Sequence, residues 1–451
     1  MTLPLLGADG CERLALPALA RDGAAAVEVV VHRTVGGVTR FANSEVHQNT
    51  WAEDVLVNVR VVTPDGRVGV AGAHTDDRRE VAAATERAHE LARVSTVDGA
   101  FPGLAPPAVT AGVQADAATL DATPAQRAAA VRKVLASTPA GLRAAGAYTT
   151  GGAELAVFTS AGQRAYTPLS VAQLTLVVDG PSSSGYAEQG GRTTEAIDAE
   201  AVARNAVGKA RAGAKPVTVA PGDWPVVLEP AATGTLVQFL AYLGFGAKAY
   251  LEGRAFTSGR MGARVVAPEV SIVDDALSPD TVGFPFDFEG TPKERVELLR
   301  GGVVWGVVHD RFTAAQAGVA STGHGLLAPN PYGPLALNPV MTPGEGGRID
   351  ELVAGCERGL LVTRFHYANV IEPMETLLTG MTRDGTFLIE NGRLSAGVRN
   401  LRFTQSVLGA LREVDAVSSE TAYASELFLA GSLFPALRLP AFTFTGTTTF
   451  G

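Results

Sequence analysis

A run of alternating apolar residues constrains the fold of this chain more than any other local pattern. Within Asp54–Thr63, valine occupies every second position from Val55 to Val61. Successive side chains of a strand point to opposite faces, so this period of two predicts a half-buried strand in a sheet. Pro64-Asp65-Gly66 then predicts a turn, and residues 67–73 return as the hairpin partner. The chain must therefore build at least one sheet with a covered face.

The rest of the first 220 residues alternates predicted strands with predicted helices. A Gly36-Gly37 turn is expected between two short strands, Thr75 or Asp76 is expected to cap one helix, and Thr123 before Pro124 to cap the next. This pattern predicts an N-terminal α+β domain over residues 1–220, a sheet with helices packed on it. The predicted strands are 26–32, 37–42, 142–149, 155–159 and 163–178, and the predicted helices are about 77–94, 124–137 and 198–212.

The second half has a different pattern, rich in short apolar runs and in Gly and Pro turns. Residues 215–222 are typical of a connector, so the boundary is placed near residue 220. Residues 221–451 are predicted to form a mainly antiparallel β domain with one or two helices, at 235–251 and near Thr291–Leu299. The proline-broken segment 318–346 is predicted to be irregular, and such long loops line sites or pack at interfaces.

Composition excludes several classes of function. The 451 residues carry a net charge of −9, with no dense basic tract, so nucleic acid is not expected as a partner. No apolar stretch reaches the ~18 residues of a transmembrane helix, so no membrane partner is expected. The first residues lack the charged and apolar regions of a signal peptide. The two cysteines, Cys11 and Cys356, exclude a disulfide framework, and we expect a soluble cytoplasmic protein.

The segment from Val226 to Gly244 has the layout of a catalytic zinc helix without its ligands. A short apolar strand, Pro230 and Gly234 precede an amphipathic stretch. This order of strand, turn residues and helix resembles the TldD/PmbA family of peptidases, in which one type of subunit carries a His-Glu-x-x-x-His motif within the helix. Gln238 and Phe239 stand where the first His and the Glu would be, and Leu243 where the second His would be. Catalytic zinc needs about three His, Cys or carboxylate ligands and a general base, which these residues cannot supply.

Further motifs in the second half follow the order seen in the C-terminal domains of that family. No single motif is specific, but their order and separation from Asp274 to Gly392 are. The first half resembles the family mainly at 54–63 and in the helix that follows. The motifs are Asp274-Asp275, Phe286-Asp287-Phe288-Glu289-Gly290, Ser321-Thr322-Gly323-His324, Asn338-Pro339 and Phe387-Leu388-Ile389-Glu390-Asn391-Gly392.

The resemblance implies a PmbA-type (TldE-like) subunit of a heterodimeric metallopeptidase. The zinc would then lie in a TldD-like partner chain, with no cofactor in this one. The tail from 399 to 451 has neither Cys nor His, so the family's C-terminal Cys ligand is also missing. Small peptides or modified peptide-like substrates would enter a shared cavity, in proteolysis, peptide-antibiotic maturation or another natural-product pathway. The candidates for lining that cavity are His324, Asn338, Arg364 and His366.

Two other functions stay open. A stand-alone hydrolase could build a divergent metal site from His309, Asp310, His324 or His366, although no two of these histidines share a ligand spacing on one element. A non-enzymatic homodimer could instead modulate another enzyme. Nucleotide-binding glycine loops and a Gly-x-Ser-x-Gly elbow are absent from the sequence. Cys356, among apolar neighbours, is expected to serve packing.

Overall fold

A computed structural model of the chain describes residues 5–20, 26–97, 101–425 and 431–447. Residues 1–4, which belong to the N-terminal segment assessed above for the features of a signal peptide, lie outside the described residues. Mixed α and β elements fill the described ranges, and most neighbouring strands run antiparallel, so the predicted α+β class is confirmed. None of the helices in these ranges has both the length and the apolar composition that a bilayer crossing requires.

The helices in the described ranges are α1 Gly7–Leu19, α2 Arg78–Val94, α3 Ala117–Leu120, α4 Pro124–Ala136, α5 Ala199–Ala212, α6 Pro230–Gly244, α7 Ala247–Leu251, α8 Arg311–Ala317, α9 Ile349–Ala354 and α10 Val407–Leu411. The strands are β1 Ala26–Ala42, β2 Glu45–Val62, β3 Val68–His74, β4 Arg143–Thr159, β5 Arg164–Asp179, β6 Ser184–Gly191, β7 Gly222–Leu228, β8 Ile272–Asp274, β9 Val296–Arg300, β10 Val303–Val304, β11 Pro339–Met341, β12 Arg358–Glu372, β13 Leu377–Glu390, β14 Arg393–Gly397, β15 Leu401–Ser406, β16 Ala416–Ala424 and β17 Ser432–Thr447.

Within the described residues, the first half builds one six-stranded antiparallel sheet in the order β3-β2-β1-β4-β5-β6. The valines predicted to share one face do so, since Val57, Val59 and Val61 are fully buried. They pack under α1 and α2, while α4 and α5 cover β4–β6. The predicted cap Thr123 accepts the N–H of Gln126 and starts α4, as expected.

Several local predictions in the first half were wrong. The expected Gly36-Gly37 turn is instead the middle of β1, a continuous strand. A Cβ at position 37 would lie 2.2 Å from the Arg127 guanidinium, so the glycine makes room for a buried arginine. The cap of α2 is Asp77, whose side chain accepts the N–H of Arg79, and not Thr75 or Asp76.

The second half is centred on a closed sheet. Its strands follow the order β12-β7-β17-β15-β13, and β12 also pairs with β13, so this sheet closes on itself as a barrel. Aromatic rings fill part of its interior: Phe365 lies 4.6 Å from Phe403 and 5.4 Å from Phe442, centroid to centroid. β8–β11 form a small separate sheet. The predicted domain boundary near residue 220 falls between α5 and β7 and stays a prediction.

Two helix predictions in this half need correction. The helix expected near Thr291–Leu299 is not there: Val296–Arg300 is strand β9, which pairs with β8. The helix expected at 235–251 begins earlier, with Pro230 in its first turn, and is broken after Gly244 into α6 and α7. Residues 318–346 are irregular apart from β11, as predicted.

Candidate functional site

Helix α6 is almost entirely buried and packs against β12, β16 and β17. Pro230 sits in its first turn, where the missing N–H costs nothing. Gly244 at its end lies against Phe256, and a Cβ there would come within 1.9 Å of the ring. The close fit fixes the rotation of the helix, and therefore the direction in which positions 238, 239 and 243 point.

The three residues at the positions where the resemblance places the zinc motif have two different environments. Phe239 and Leu243, each 7% exposed, belong to the main hydrophobic core of the second half. Gln238 is 5% exposed and lines a cavity of about 160 Å³. We call this the apolar cavity, and the segment around Leu335 forms its other wall. Its lining residues are Gln238, Ala241, Tyr242, Tyr332, Leu335, Ala336 and Leu337.

These residues do not fit a zinc ion. A catalytic zinc needs anionic or imidazole donors, and the apolar cavity offers one amide and two phenols. Across the described ranges, three or more His, Cys, Asp or Glu side chains nowhere come together as a potential metal site. The side chain of Gln238 lines a cavity, as a binding role at this position would require. Phe239 and Leu243, in contrast, lie in the hydrophobic core.

A second cavity, of about 170 Å³, adjoins the first, and Leu335 and Leu337 line both. We call it the His324 cavity. The structure brings two predicted residues together here, because His324 and Asn338 both line it. Its other walls are largely apolar, with Phe284, Phe286 and Phe288 among them.

Asp274, at the end of β8, holds both of these residues in place. Its Oδ1 lies 2.9 Å from His324 Nε2, and its Oδ2 accepts the Asn338 backbone N–H at 2.8 Å. Both side chains of the His324–Asp274 pair are fully buried. Burial by itself raises the pKa of Asp274, but the nearby His324 and Lys293 charges and the Asn338 N–H hold that pKa below its usual value. The carboxylate is therefore an ionised anchor.

The other nitrogen of His324 is engaged as well. Nδ1 lies 2.9 Å from Thr322 Oγ1, which also accepts the His309 backbone N–H at 2.7 Å. An Asp, a His and a Thr that are hydrogen-bonded in series resemble a nucleophilic catalytic triad. Here, however, Thr322 Oγ1 also accepts the His309 N–H and lies 3.1 Å from the His309 carbonyl oxygen, and His324 is buried, so these groups support the fold of the loop. The arrangement is a clamp that fixes the irregular segment onto β8.

A further carboxyl in the wall of the His324 cavity has an unusual pKa. Burial and the neighbouring Glu289 charge raise the pKa of Asp287 to about 8, although the N–H groups of Gly325, Thr291 and Glu289 oppose the shift. Glu289 also faces the first half of the chain, where its Oε1 is 3.6 Å from Arg60 on β2. The order of motifs in the sequence indicated Asp287 and Glu289, but it did not indicate that Glu289 contacts the first half of the chain.

Among the described residues, those of the alternative metal site do not come together as a set of three or more ligands. Asp310 is the N-cap of α8 and accepts the Thr313 N–H at 2.7 Å. His309 precedes it, and burial lowers its pKa. His366 lies on β12, half-buried, with its ring 4.3 Å from that of Tyr367.

The four predicted cavity residues do not form one set. Arg364 and His366 are absent from the walls of the apolar and His324 cavities. Arg364 pairs with Asp384 on β13 and lies over the ring of Tyr186, 4.0 Å from its centroid. The structure thus places Arg364 and His366 on β12 and not in the wall that His324 and Asn338 share, and the assignment of all four to a cavity shared with a partner stays a prediction.

One site was missed from the sequence. A cavity of about 270 Å³ lies where the first turn of α6 meets β6, α5 and β16, and its wall includes Glu188, Lys209 and Glu229. We call it the charged cavity. Its charged residues are scattered along the chain over separate elements, so no local spacing could have indicated it.

The sequence matches two domain profiles of one family. The PmbA/TldA metallopeptidase C-terminal domain matches residues 221–446, which is half of the chain, and PmbA/TldA metallopeptidase domain 1 matches residues 27–92. The chain belongs to the PmbA/TldD family.

Individual relatives agree with this family. A metalloprotease TldD homolog of Haemophilus influenzae is 24% identical over 228 residues, 50% of this chain and 47% of the relative. A metalloprotease of Synechocystis is 26% identical over 206 residues, 45% of this chain and 44% of the relative. The chain thus spans about half the length of these relatives.

Solved structures match over nearly the whole chain. TldE from Thermococcus kodakarensis superimposes with a TM-score of 0.84 at 20% identity, covering 96% of this chain and 99% of that one. A proposed modulator of DNA gyrase from Bacteroides thetaiotaomicron gives 0.82 at 18% identity, covering 98% and 100%. At such identities, these likenesses establish the fold alone.

Proposed function

We propose that this chain is the TldE-like subunit of a two-chain metallopeptidase, in which a TldD-like partner holds the catalytic zinc. The observation that supports the proposal is helix α6: by the sequence resemblance it corresponds to the family's zinc helix, yet it carries Gln238, Phe239 and Leu243 at the positions of the motif. Two of these three residues are now part of the core. A chain of a metallopeptidase family that cannot hold the metal is best explained as a subunit that supports another.

The contribution of this chain would be to shape the space into which small peptides or modified peptide-like substrates enter. The apolar cavity, which α6 lines, and the adjoining His324 cavity supply a concave and largely apolar surface. Tyr242 and Tyr332 are 41% and 59% exposed at the mouth of the apolar cavity, with ring centroids 6.5 Å apart. Exposed aromatic residues beside a concave apolar surface are typical of contact sites for a partner or ligand.

A cytoplasmic location fits this role. Both cysteines are free and buried. Burial raises the pKa of Cys11 to about 12, so its thiol is unreactive. Cys356 packs among Leu352, Val353 and Leu361, as a free cysteine in a reducing compartment can.

The test compares three samples: this chain, a family member with an intact His-Glu-x-x-x-His motif from the same genome, and the two expressed together. Zinc content by plasma mass spectrometry, native mass, and hydrolysis of short peptides are measured on each. We expect a stable heterodimer whose zinc and activity depend on the partner. Stoichiometric zinc and hydrolysis by this chain alone would overturn the proposal, and so would a homodimer that ignores the partner.

Two variants sharpen the assignment. Replacing Tyr332 with Ala, at the exposed mouth of the apolar cavity, should weaken the heterodimer or raise KM without unfolding the chain. Tyr367→Ala is the matched control, since Tyr367 is 71% exposed on β12 and does not line the apolar cavity. Equal effects of the two substitutions would argue against a role for the apolar cavity.

A further inference from the structure

The charged cavity joins the two halves of the chain. Strand β6 and helix α5 from the first half form one wall, and the start of α6 with β16 forms the other. Its volume of about 270 Å³ exceeds that of either the apolar cavity or the His324 cavity. The lining residues include Tyr186, Glu188, Asn205, Lys209, Glu229, Pro230, Thr363, Glu420, Thr421 and Tyr423.

Acidic groups outnumber basic groups in this wall. Three carboxyl side chains, those of Glu188, Glu229 and Glu420, face one ammonium group, that of Lys209. Lys209 is committed, because its Nζ lies 2.5 Å from Glu229 Oε2 and donates to the Tyr186 carbonyl at 3.1 Å. The nearby Arg364 is paired with Asp384. Among the described residues of the wall, the one side-chain cation therefore pairs with Glu229 and not with Glu188.

Glu188 itself is incompletely satisfied. Its Oε2 accepts the Ser425 hydroxyl at 2.9 Å, whereas its Oε1 is buried and has no hydrogen-bond partner among the described residues. A buried carboxylate oxygen without a donor is costly, so native structures seldom leave one. Burial raises the pKa of Glu188 to about 7, although hydrogen bonds from Ser425 and Tyr186 and the Arg364 charge oppose the shift. A cationic donor entering the cavity would satisfy this group.

We propose that the charged cavity binds the ammonium group of a small organic amine, with Glu188 as its counter-ion. The last torsion of a glutamate is soft, so the carboxyl group can turn an oxygen toward the cavity at little cost. Tyr423 also lines the cavity, and phenol rings attract ammonium groups through their faces, whereas one face of the Tyr186 ring already carries the Arg364 guanidinium. Two sources share this chemistry: the amino terminus of a short peptide, and an alkylamine such as a lysine side chain. The proposal does not depend on the subunit role.

The experiment is calorimetric titration of the purified chain with three probes at equal ionic strength: alanyl-alanine, N-acetyl-alanyl-alanine and n-butylamine. We expect binding of at least one free amine and none of the acetylated dipeptide. Alanyl-alanine alone would identify a peptide amino terminus, n-butylamine alone an alkylamine, and both the ammonium group itself. Failure of both amines to bind would overturn the proposal, as would equal binding of the acetylated dipeptide.

Three variants locate the site. Glu188→Gln keeps the shape and removes the charge, and should weaken amine binding by about tenfold or more, as loss of a charged hydrogen bond does. Glu413→Gln removes the same charge from an exposed position outside this cavity, and should leave the affinity unchanged. Unchanged affinity in Glu188→Gln would overturn the assignment.

Thr421→Phe provides a second route should Glu188→Gln fail to fold. It keeps every charge and fills the cavity from β16. We expect it to abolish amine binding while the chain keeps its circular dichroism spectrum. Binding at full affinity in this folded variant would place the amine elsewhere and overturn the proposal.

Discussion

The two ends of helix α6 face cavities of opposite character. At its second half, the apolar cavity is lined by one amide, two tyrosines and aliphatic side chains. At its first turn, the charged cavity holds three carboxyl groups and a lysine. By the sequence resemblance the first cavity lies beside the position of the family's zinc motif, and its lining offers none of the usual zinc ligands. The second lies at the other end of the helix and contains a carboxyl, that of Glu188, whose Oε1 has no hydrogen-bond partner among the described residues. The two ends of one helix thus offer different binding chemistry.

The largest expected effect comes from the clamp behind the His324 cavity. Asp274→Ala removes the acceptor of both His324 and the Asn338 N–H. Leaving a buried partner uncompensated costs about 3–5 kcal/mol, so we expect the free energy of unfolding to fall by that amount in urea denaturation. Asp280→Ala, at an exposed position nearby, is the control. A loss no larger than that of the control would show that His324 is not clamped and is available for chemistry.

The ion pair in the charged cavity is expected to matter less. Lys209 and Glu229 side chains are each 15% exposed, and Lys209→Met would leave Glu229 with the Thr363 hydroxyl at 3.3 Å. A charged hydrogen bond of this kind contributes about 1.5–3 kcal/mol, so a loss in that range is expected by the same denaturation assay. The double variant Lys209→Met/Glu229→Gln should recover part of it. No recovery would mean that Lys209 acts through packing and not through its charge.

The pH dependence of stability tests the titration of Glu188 in the charged cavity. The native state keeps the Glu188 proton up to about pH 7, whereas the unfolded chain loses it near the ordinary value of 4.5. Between these values the native state binds more protons, so stability should fall as pH rises through this window. Glu188→Gln should make the slope shallower, measured as urea midpoints across the same window. An unchanged slope would exclude Glu188 as its source. The groups that face Glu188 are Tyr186, Lys209, Glu229, Arg364, Ser425 and Tyr423.

The smallest effect is expected at the apolar cavity. Ala241→Leu adds three carbons toward an apolar space of about 160 Å³. Such filling should change stability by less than about 1.5 kcal/mol, because added burial offsets local crowding. The melting temperature checks this, and activity of the heterodimer should fall because the space is blocked. Thr421→Leu is the matched change in the charged cavity. Retained activity in Ala241→Leu would show that the apolar cavity plays no part in substrate entry.

Local signals predicted local structure well. Alternating valines in β2, and Thr123 before Pro124, each depend on neighbouring residues alone, and both predictions are confirmed. The Gly36-Gly37 prediction was wrong because Gly37 accommodates Arg127, about 90 residues later in the chain, within a continuous strand. The helix expected near Thr291–Leu299 was wrong because pairing with β8 overrides its helical propensity.

The candidate site was predictable only in part. Motif order pointed to His324 and Asn338, which the structure brings to one cavity. Their common partner Asp274 lies 50 and 64 residues away in sequence, so no spacing could show the clamp. The charged cavity depends on four elements from both halves, and its unsatisfied carboxyl has no counterpart in any local pattern.

The burial of Phe239 and Leu243 limits which substitutions this sequence can accept in the course of evolution. Each now contributes to a shared core, so a single change to Glu or His would place a polar group there before any zinc could compensate for it. The ligand set would have to return almost at once, because each intermediate on a stepwise path is less stable than the present chain. Under the proposed subunit role, loss of the metal site would thus be close to irreversible, and a division of labour between subunits, once established, would persist.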